Sequence, residues 1–196
     1  ETNWPVEVGS YAVTGTVNDA DWAGSSTGTL TIIQGAATVV LNDLSHTYDG
    51  AAKWATATTV PTGLVVDLTY DGVTNEPTAV GSYAVTGTVN EANWQGSSRG
   101  TLVIAKASAT VTLGDLSHSY DGTAKSATAT TAPTGLVVDL TYDGETNGPV
   151  AAGSYAVTGT VNDVNWQGAG TGTLELAKAA AGVTLGAAIS SLARLA

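Results

Sequence analysis

Two Ser-His pairs, Ser45-His46 and Ser117-His118, lie just ahead of an acid, Asp49 and Asp121. These are the residue types of a Ser-His-Asp hydrolase. Their spacing argues against that chemistry. Adjacent residues on an extended chain point to opposite faces, so the hydroxyl cannot hydrogen-bond the neighbouring imidazole as nucleophile to base. Each Asp precedes a Gly (Asp49-Gly50, Asp121-Gly122), which is a turn signal. Ordinary strand-end packing is the expectation. No catalytic residue is assigned, and the chain reads as a non-enzyme.

Three loops gather oxygen donors: Asn18-Asp19-Ala20-Asp21, Asn90-Glu91-Ala92-Asn93 and Asn162-Asp163-Val164-Asn165. Calcium takes six to eight oxygens, often with several carboxylates. Each loop offers only one or two, so Asp19, Asp21, Glu91 and Asp163 are weak calcium candidates, and turn geometry explains them more simply. No metal and no cofactor is expected. Lys53 and Lys125 are the residue type of intramolecular Lys–Asn crosslinks, but no spacing identifies the acid and amide that such a bond needs.

The tryptophans fall into two groups. Trp22, Trp94 and Trp166 recur just after the three loops and read as loop anchors, rings folded back over the end of a core. Trp4 stands where equivalent positions hold Glu76 and Gly148, and Trp54 where Ser126 stands. A position that accepts Glu, Gly or Ser is not a core position. Trp4 and Trp54 are therefore expected on the surface, as interface or ligand candidates.

These equivalences rest on a repeat. The string GSYAVTGTVN begins at Gly9, Gly81 and Gly153, an offset of 72 residues. Residues 37–108 align with 109–180 without a gap, with about three quarters of positions identical. Residues 1–36 match 73–108, the second half of a repeat. Residues 181–186 (AGVTLG) match a repeat's first strand, after which resemblance stops. The expected organisation is a C-terminal half-repeat (1–36), two complete repeats (37–108, 109–180), and a first strand with a non-matching tail (181–196). The joint is placed at AKASA (105–109) and AKAAA (177–181), although a unit of 1–72 has the same period. In the tail, Ile189, Leu192 and Leu195 have helix-face spacing.

The chain has 196 residues, 17 acidic and 6 basic, for a formal net charge of −11. Nucleic acid needs clustered Lys and Arg and is not an expected partner. An anionic membrane surface is disfavoured for the same reason, and no apolar run approaches membrane-spanning length. There is no cysteine, so no disulfide braces a repeat.

Apolar residues recur with period two. Leu64, Val66, Leu68 and Tyr70 share one face and Val65, Asp67 and Thr69 the other. An ionised Asp belongs in water, which makes the first set the core face. Tyr83, Val85 and Val89 form a second inward row, interrupted by Gly87, where a close approach or a bulge is expected. Leu102 and Ile104 form a third, with Val103 outward because the other copy has Glu175 there. Val39 and Leu41 form a fourth, with Val40 exchanging for Thr112, and residues 53–60 read as a weaker strand. Turn signals at Asp49-Gly50, Pro61-Thr62-Gly63, Asp71-Gly72 and residues 90–98 separate five or six strands per repeat. The fold class is all-β: tandem small immunoglobulin-like β-sandwich modules in an elongated array, with a β-grasp-like fold as the alternative.

The succession AxVTLxDLSHxYDGxAK, ATxxPTGLVVDLTYDG, GSYAVTGTVNxxxWQG and GTLxIAKA resembles the MBG (mostly beta, glycine-rich) repeats of large bacterial surface and secreted proteins, from Thr2 to Gly186. The resemblance implies arrays in adhesin-like proteins, an extracellular or cell-surface location, and no catalytic residues to carry over. The expected role is a stalk or spacer in a cell-surface adhesin or extracellular fibre, polymerising head-to-tail if residues 181–186 complete the half-repeat of the next molecule. Expected partners are other copies or neighbouring modules. The alternative is a module that binds glycans or a host surface through exposed Trp.

Overall fold

A computed structural model describes residues 4–182. It divides into two compact units between Ala107 and Ser108. In the first unit, β1 (Gly9–Thr16) and β2 (Ser25–Ile32) form an antiparallel hairpin. It is followed by β3 (Gly35–Ala36), β4 (Thr38–Asn42), β5 (Ser45–Thr47), β6 (Thr56–Val60), β7 (Val66–Tyr70), β8 (Gly81–Val89), β9 (Trp94–Gln95) and β10 (Ser97–Ala105). The order from β3 to β10 then recurs as β11 (Ala107–Ser108), β12 (Thr110–Gly114), β13 (Ser117–Ser119), β14 (Thr128–Ala132), β15 (Val138–Tyr142), β16 (Gly153–Val161), β17 (Trp166–Gln167) and β18 (Ala169–Ala177). No helix occurs among the described residues, and the expected helical face at Ile189, Leu192 and Leu195 lies outside them.

The chain is all-β, a tandem of small immunoglobulin-like sandwiches. In each complete repeat one layer is a four-stranded sheet, ordered β5-β10-β8-β7 and β13-β18-β16-β15. The other layer is a two-stranded ribbon, β4 with β6 and β12 with β14, lying across the sheet. The sheets are mixed: β5 runs parallel to β10, and the remaining neighbours are antiparallel. Residues 37–72 thus fold onto residues 73–108.

The core follows the period-two rows. Leu102 and Ile104 are fully buried with Ala55, Tyr70 and Val85, and Leu41, Leu44 and Leu68 close around them. Leu174, Val157, Tyr142 and Ala127 form the equivalent cluster. Burying a side chain such as Leu102 contributes roughly 1.5–3 kcal/mol. Asp67 and Glu175 are exposed, as their faces require. Among the buried core residues the two repeats differ only at Ile104, where the second has Leu176.

Gly87 is a close approach and not a bulge. Pairing runs unbroken through Leu68, Gly87 and Ser98. A Cβ on Gly87 would lie 3.0 Å from Leu41 Cδ2 and 3.2 Å from Leu68 Cδ2. The Asp71-Gly72 turn has positive φ at both residues (50° and 86°), as a two-residue turn matched to strand twist requires. Tyr70 and Val73 exchange backbone hydrogen bonds across it, and Asp71 Oδ1 accepts from Ala84 N at 2.8 Å, tying the turn to β8.

Candidate functional site

The hydrolase residue types are drawn apart. Ser45 faces water, while His46, the next residue of β5, turns inward and is half-buried. His46 Nε2 lies 2.8 Å from the carbonyl oxygen of Asp43 and 3.1 Å from that of Trp54. Both partners only accept, so Nε2 carries the hydrogen and donates it. The equivalent His118 Nε2 is enclosed without a partner. Asp49 pairs with Lys53 and Asp121 with Lys125. The hydrogen bond from Lys53 holds the Asp49 carboxyl below the usual carboxylate range, helped by the Ala51 amide. Lys125, then Thr123, does the same to Asp121. Both lysines, considered above as crosslink donors, are thus held by aspartates.

The acidic loops use their oxygens on the backbone. Asp19 Oδ1 accepts from the amides of Asp21 (2.8 Å) and Trp22 (3.1 Å). Asp163 Oδ1 accepts from Asn165 (2.7 Å) and Trp166 (2.9 Å). Glu91 occupies the same position in the first complete repeat but is one methylene longer, and its Oε1 accepts from Val65 N at 3.1 Å. Among the described residues no group of three or more His, Asp or Glu is placed to hold a metal ion.

Trp94 and Trp166 are half-buried at the start of β9 and β17. Beside Trp94 runs β3, and a Cβ on Gly35 would come within 2.7 Å of the indole. Trp94 is therefore an anchor for the segment entering its repeat. Trp22 departs from the expectation: it is 76% exposed. The described residues give it no counterpart of β3, so its ring has nothing to close on.

Trp4 (76% exposed) and Trp54 (55%) lie on the surface, as the repeat comparison predicts. Trp54 borders a hollow of about 250 Å³ with His46, Asp49 and Lys53. Trp4 borders a groove of about 400 Å³ with Pro5, Tyr11, Val13 and Leu30. That groove is part of a surface the sequence reading missed. Beyond being half of a repeat, the hairpin presents an open apolar face, carried by Val13, Val17 and Leu30. The signal was available, because these residues align with the inward row Val85, Val89 and Leu102.

The hairpin is fastened to the repeat that follows it within the first unit. Val8 N donates to Asn93 Oδ1 at 2.8 Å, Asn93 also donates to Glu7, and Gln34 Nε2 donates to Ala92 O at 3.1 Å.

Comparison with protein families places these repeats. The family model of the MBG domain matches residues 1–36, 37–108 and 109–180. The chain belongs to the MBG-domain family, and it is a tandem repeat region of such domains. No curated protein matches it.

Proposed function

We propose that the chain is a structural repeat region of a bacterial cell-surface adhesin or extracellular fibre, acting as a stalk or spacer. The observation that supports it most is the parallel pairing of β5 with β10, repeated in β13 with β18. These strands lie near the entry and the exit of each repeat. Tension applied through the chain ends pulls parallel neighbours in opposite directions along their length, so their hydrogen bonds share the load instead of opening one by one. In the first repeat the bonds at the two ends of this pairing are Val103 N to Leu44 O (2.8 Å) and Tyr48 N to Ala105 O (2.9 Å). In the second they are Glu175 N to Leu116 O (2.8 Å) and Tyr120 N to Ala177 O (2.8 Å). The net charge of −11 keeps neighbouring copies apart.

The polymerising form of this reading takes a narrower shape. The equivalents of AGVTLG, β4 and β12, hydrogen-bond to β6 and β14 and lie across the sheet, not along its edge. Residues 181–186 would therefore seat on a face; residues 183–196 lie outside the described part.

Stretching the chain between its ends in single-molecule force spectroscopy tests the proposal. Two unfolding peaks are expected, each releasing the length of one complete repeat. Extension without peaks would overturn it. The exposed Trp54 beside its hollow supports a second reading, glycan binding. A blue shift or quench of tryptophan fluorescence on glycan titration would favour it, and a change tracking only protein concentration would favour self-association.

A further inference from the structure

The structure assigns the hollow beside Trp54, in the first complete repeat, as a site for one neutral pyranose ring, stacked on the indole with its hydroxyls on the Asp49 carboxylate. The inference rests on the glycan-binding reading above and narrows it to one repeat, one pair of side chains and one class of sugar.

Trp54 is 55% exposed, yet the main chain around it is fixed on every side. Lys53 N donates to Pro77 O at 2.9 Å. His46 Nε2 donates to Trp54 O at 3.1 Å, and Ala55 N donates to the Tyr70 hydroxyl at 2.9 Å. Ala55 itself belongs to the core. A large ring left in water is costly unless it contacts something. A ring on a fixed stem also loses little freedom when a ligand stacks on it.

The second repeat supplies the control. Of the six residues that line the hollow, four have identical equivalents there; Ala51 becomes Thr123 and Trp54 becomes Ser126. Both differences bear on a ligand. Ser126 removes the ring. Thr123 donates its hydroxyl to Asp121 Oδ1 at 2.6 Å, beside its own amide at 2.9 Å. Ala51 has no hydroxyl, so Asp49 Oδ1 accepts only the Ala51 amide (2.9 Å) and keeps a lone pair for a sugar hydroxyl. The histidine differs too. His118 Nε2 has no partner, so the bond that fixes the carbonyl of Trp54 is confined to the repeat that carries the ring.

The lining selects the ligand. The face of an indole is negative and attracts the row of C–H groups on one side of a galactose- or glucose-type ring. Lys53 Nζ bonds Asp49 Oδ2 at 2.5 Å, but the lysine side chain is 14% exposed and the aspartate 59%. The charge open to a ligand is therefore the carboxylate, which that lysine keeps ionised. It accepts from hydroxyls and repels sialic and uronic acids, as does the net charge of −11. At about 250 Å³ the hollow falls just under the range of about 300–1,000 Å³ that encloses a drug-sized ligand, which suits a single sugar ring.

The test follows assigned indole and amide NMR signals of the 196-residue protein during separate titrations with lactose, cellobiose and sialyllactose. Shifts at Trp54 and Ala51 are expected with a neutral disaccharide and none at Ser126, with sialyllactose weaker by about tenfold or more because like charges meet. Trp54→Ser and Ala51→Thr install residues the same fold already carries in the second repeat. The first should abolish the shift at Ala51, and the second should weaken binding about threefold or more by occupying Asp49. Ser126→Trp with Thr123→Ala should create a second site, with shifts in both repeats. Sialyllactose binding at Trp54 as tightly as lactose and cellobiose would overturn the neutral-sugar assignment and leave the glycan reading standing. Shifts confined to Trp4 or Trp22 would overturn the choice of hollow. No shift with any of the three sugars, or Trp54 signals that follow protein concentration alone, would overturn the inference and the glycan reading together.

Discussion

Leu30, Leu102 and Leu174 occupy one position in three copies of the same hairpin, so truncating each to Ala isolates the effect of what covers it. Leu102 and Leu174 are fully buried, and Leu30 is nearly half exposed. A complete repeat of this size has on the order of 4–10 kcal/mol of stability. Leu→Ala in a closed core removes the transfer free energy of the lost atoms and leaves a cavity, together about 3 kcal/mol within a range of about 2–5. Leu102 is held by Ile104 of its own strand, Tyr70 of β7, Val85 of β8 and Ala55 just ahead of β6, so little collapse into the cavity is expected. At Leu30 the face is open. No enclosed cavity forms, only part of the side-chain area is lost, and the cost falls below about 1 kcal/mol. Urea titrations read from amide signals of the affected copy give each value. Leu102→Ala and Leu174→Ala should lower their own repeat by about 3 kcal/mol each, and Leu30→Ala should barely register. Equal costs at all three positions would refute the reasoning, since burial would then not set the energy.

The same threefold comparison applies to glycine: Gly87→Ala and Gly159→Ala press a methyl on leucine and valine side chains at 3.0–3.2 Å and should cost about 1–3 kcal/mol by urea denaturation, while Gly15→Ala, with no neighbour within 4 Å, should be neutral. Tyr70→Phe and Tyr142→Phe remove the hydroxyls that accept from the buried amides of Ala55 (2.9 Å) and Ala127 (2.8 Å), leaving an N–H unpaired at about 1–3 kcal/mol each, whereas Tyr83→Phe, whose hydroxyl donates to the exposed carbonyl of Ala79, should cost less. Lys125 holds the Asp121 carboxyl below the ordinary carboxylate range, so its folded pKa is depressed relative to the unfolded chain. Whatever stability the pair gives is complete above the unfolded value and is lost as pH falls through the folded one. Carboxyl-carbon NMR should show Asp121 still ionised below the ordinary carboxylate range, and Lys125→Met should move it back toward that range; an unmoved midpoint would count against the pairing.

Which face of each strand is buried could be read from the sequence, because the repeats supply their own controls. Val40 against Thr112 and Val103 against Glu175 mark water-facing positions without any structure, and both pairs lie outside the core. Partners were not legible. A period of two says which side chains share a face but not which strand lies alongside, so the β4–β6 ribbon and the parallel β5–β10 pair had no signal in the pattern. Nor did equivalence settle burial. Trp22 and Trp94 follow like loops in like hairpins, yet one is open to water and the other lies on β3. Val13 and Val85 repeat the lesson in the sheet. Local sequence specifies a hairpin with one apolar face in every copy, and whether that face becomes a core depends on a separate half of the repeat being present to cover it. The repeat is thus assembled from two halves with distinct tasks. The second carries the hairpin and its glycine dents, and the first brings the leucines and both edge strands. Side-chain chemistry at Trp22, Val13 or Leu30 therefore belongs to the assembled pair of halves rather than to the segment that encodes it.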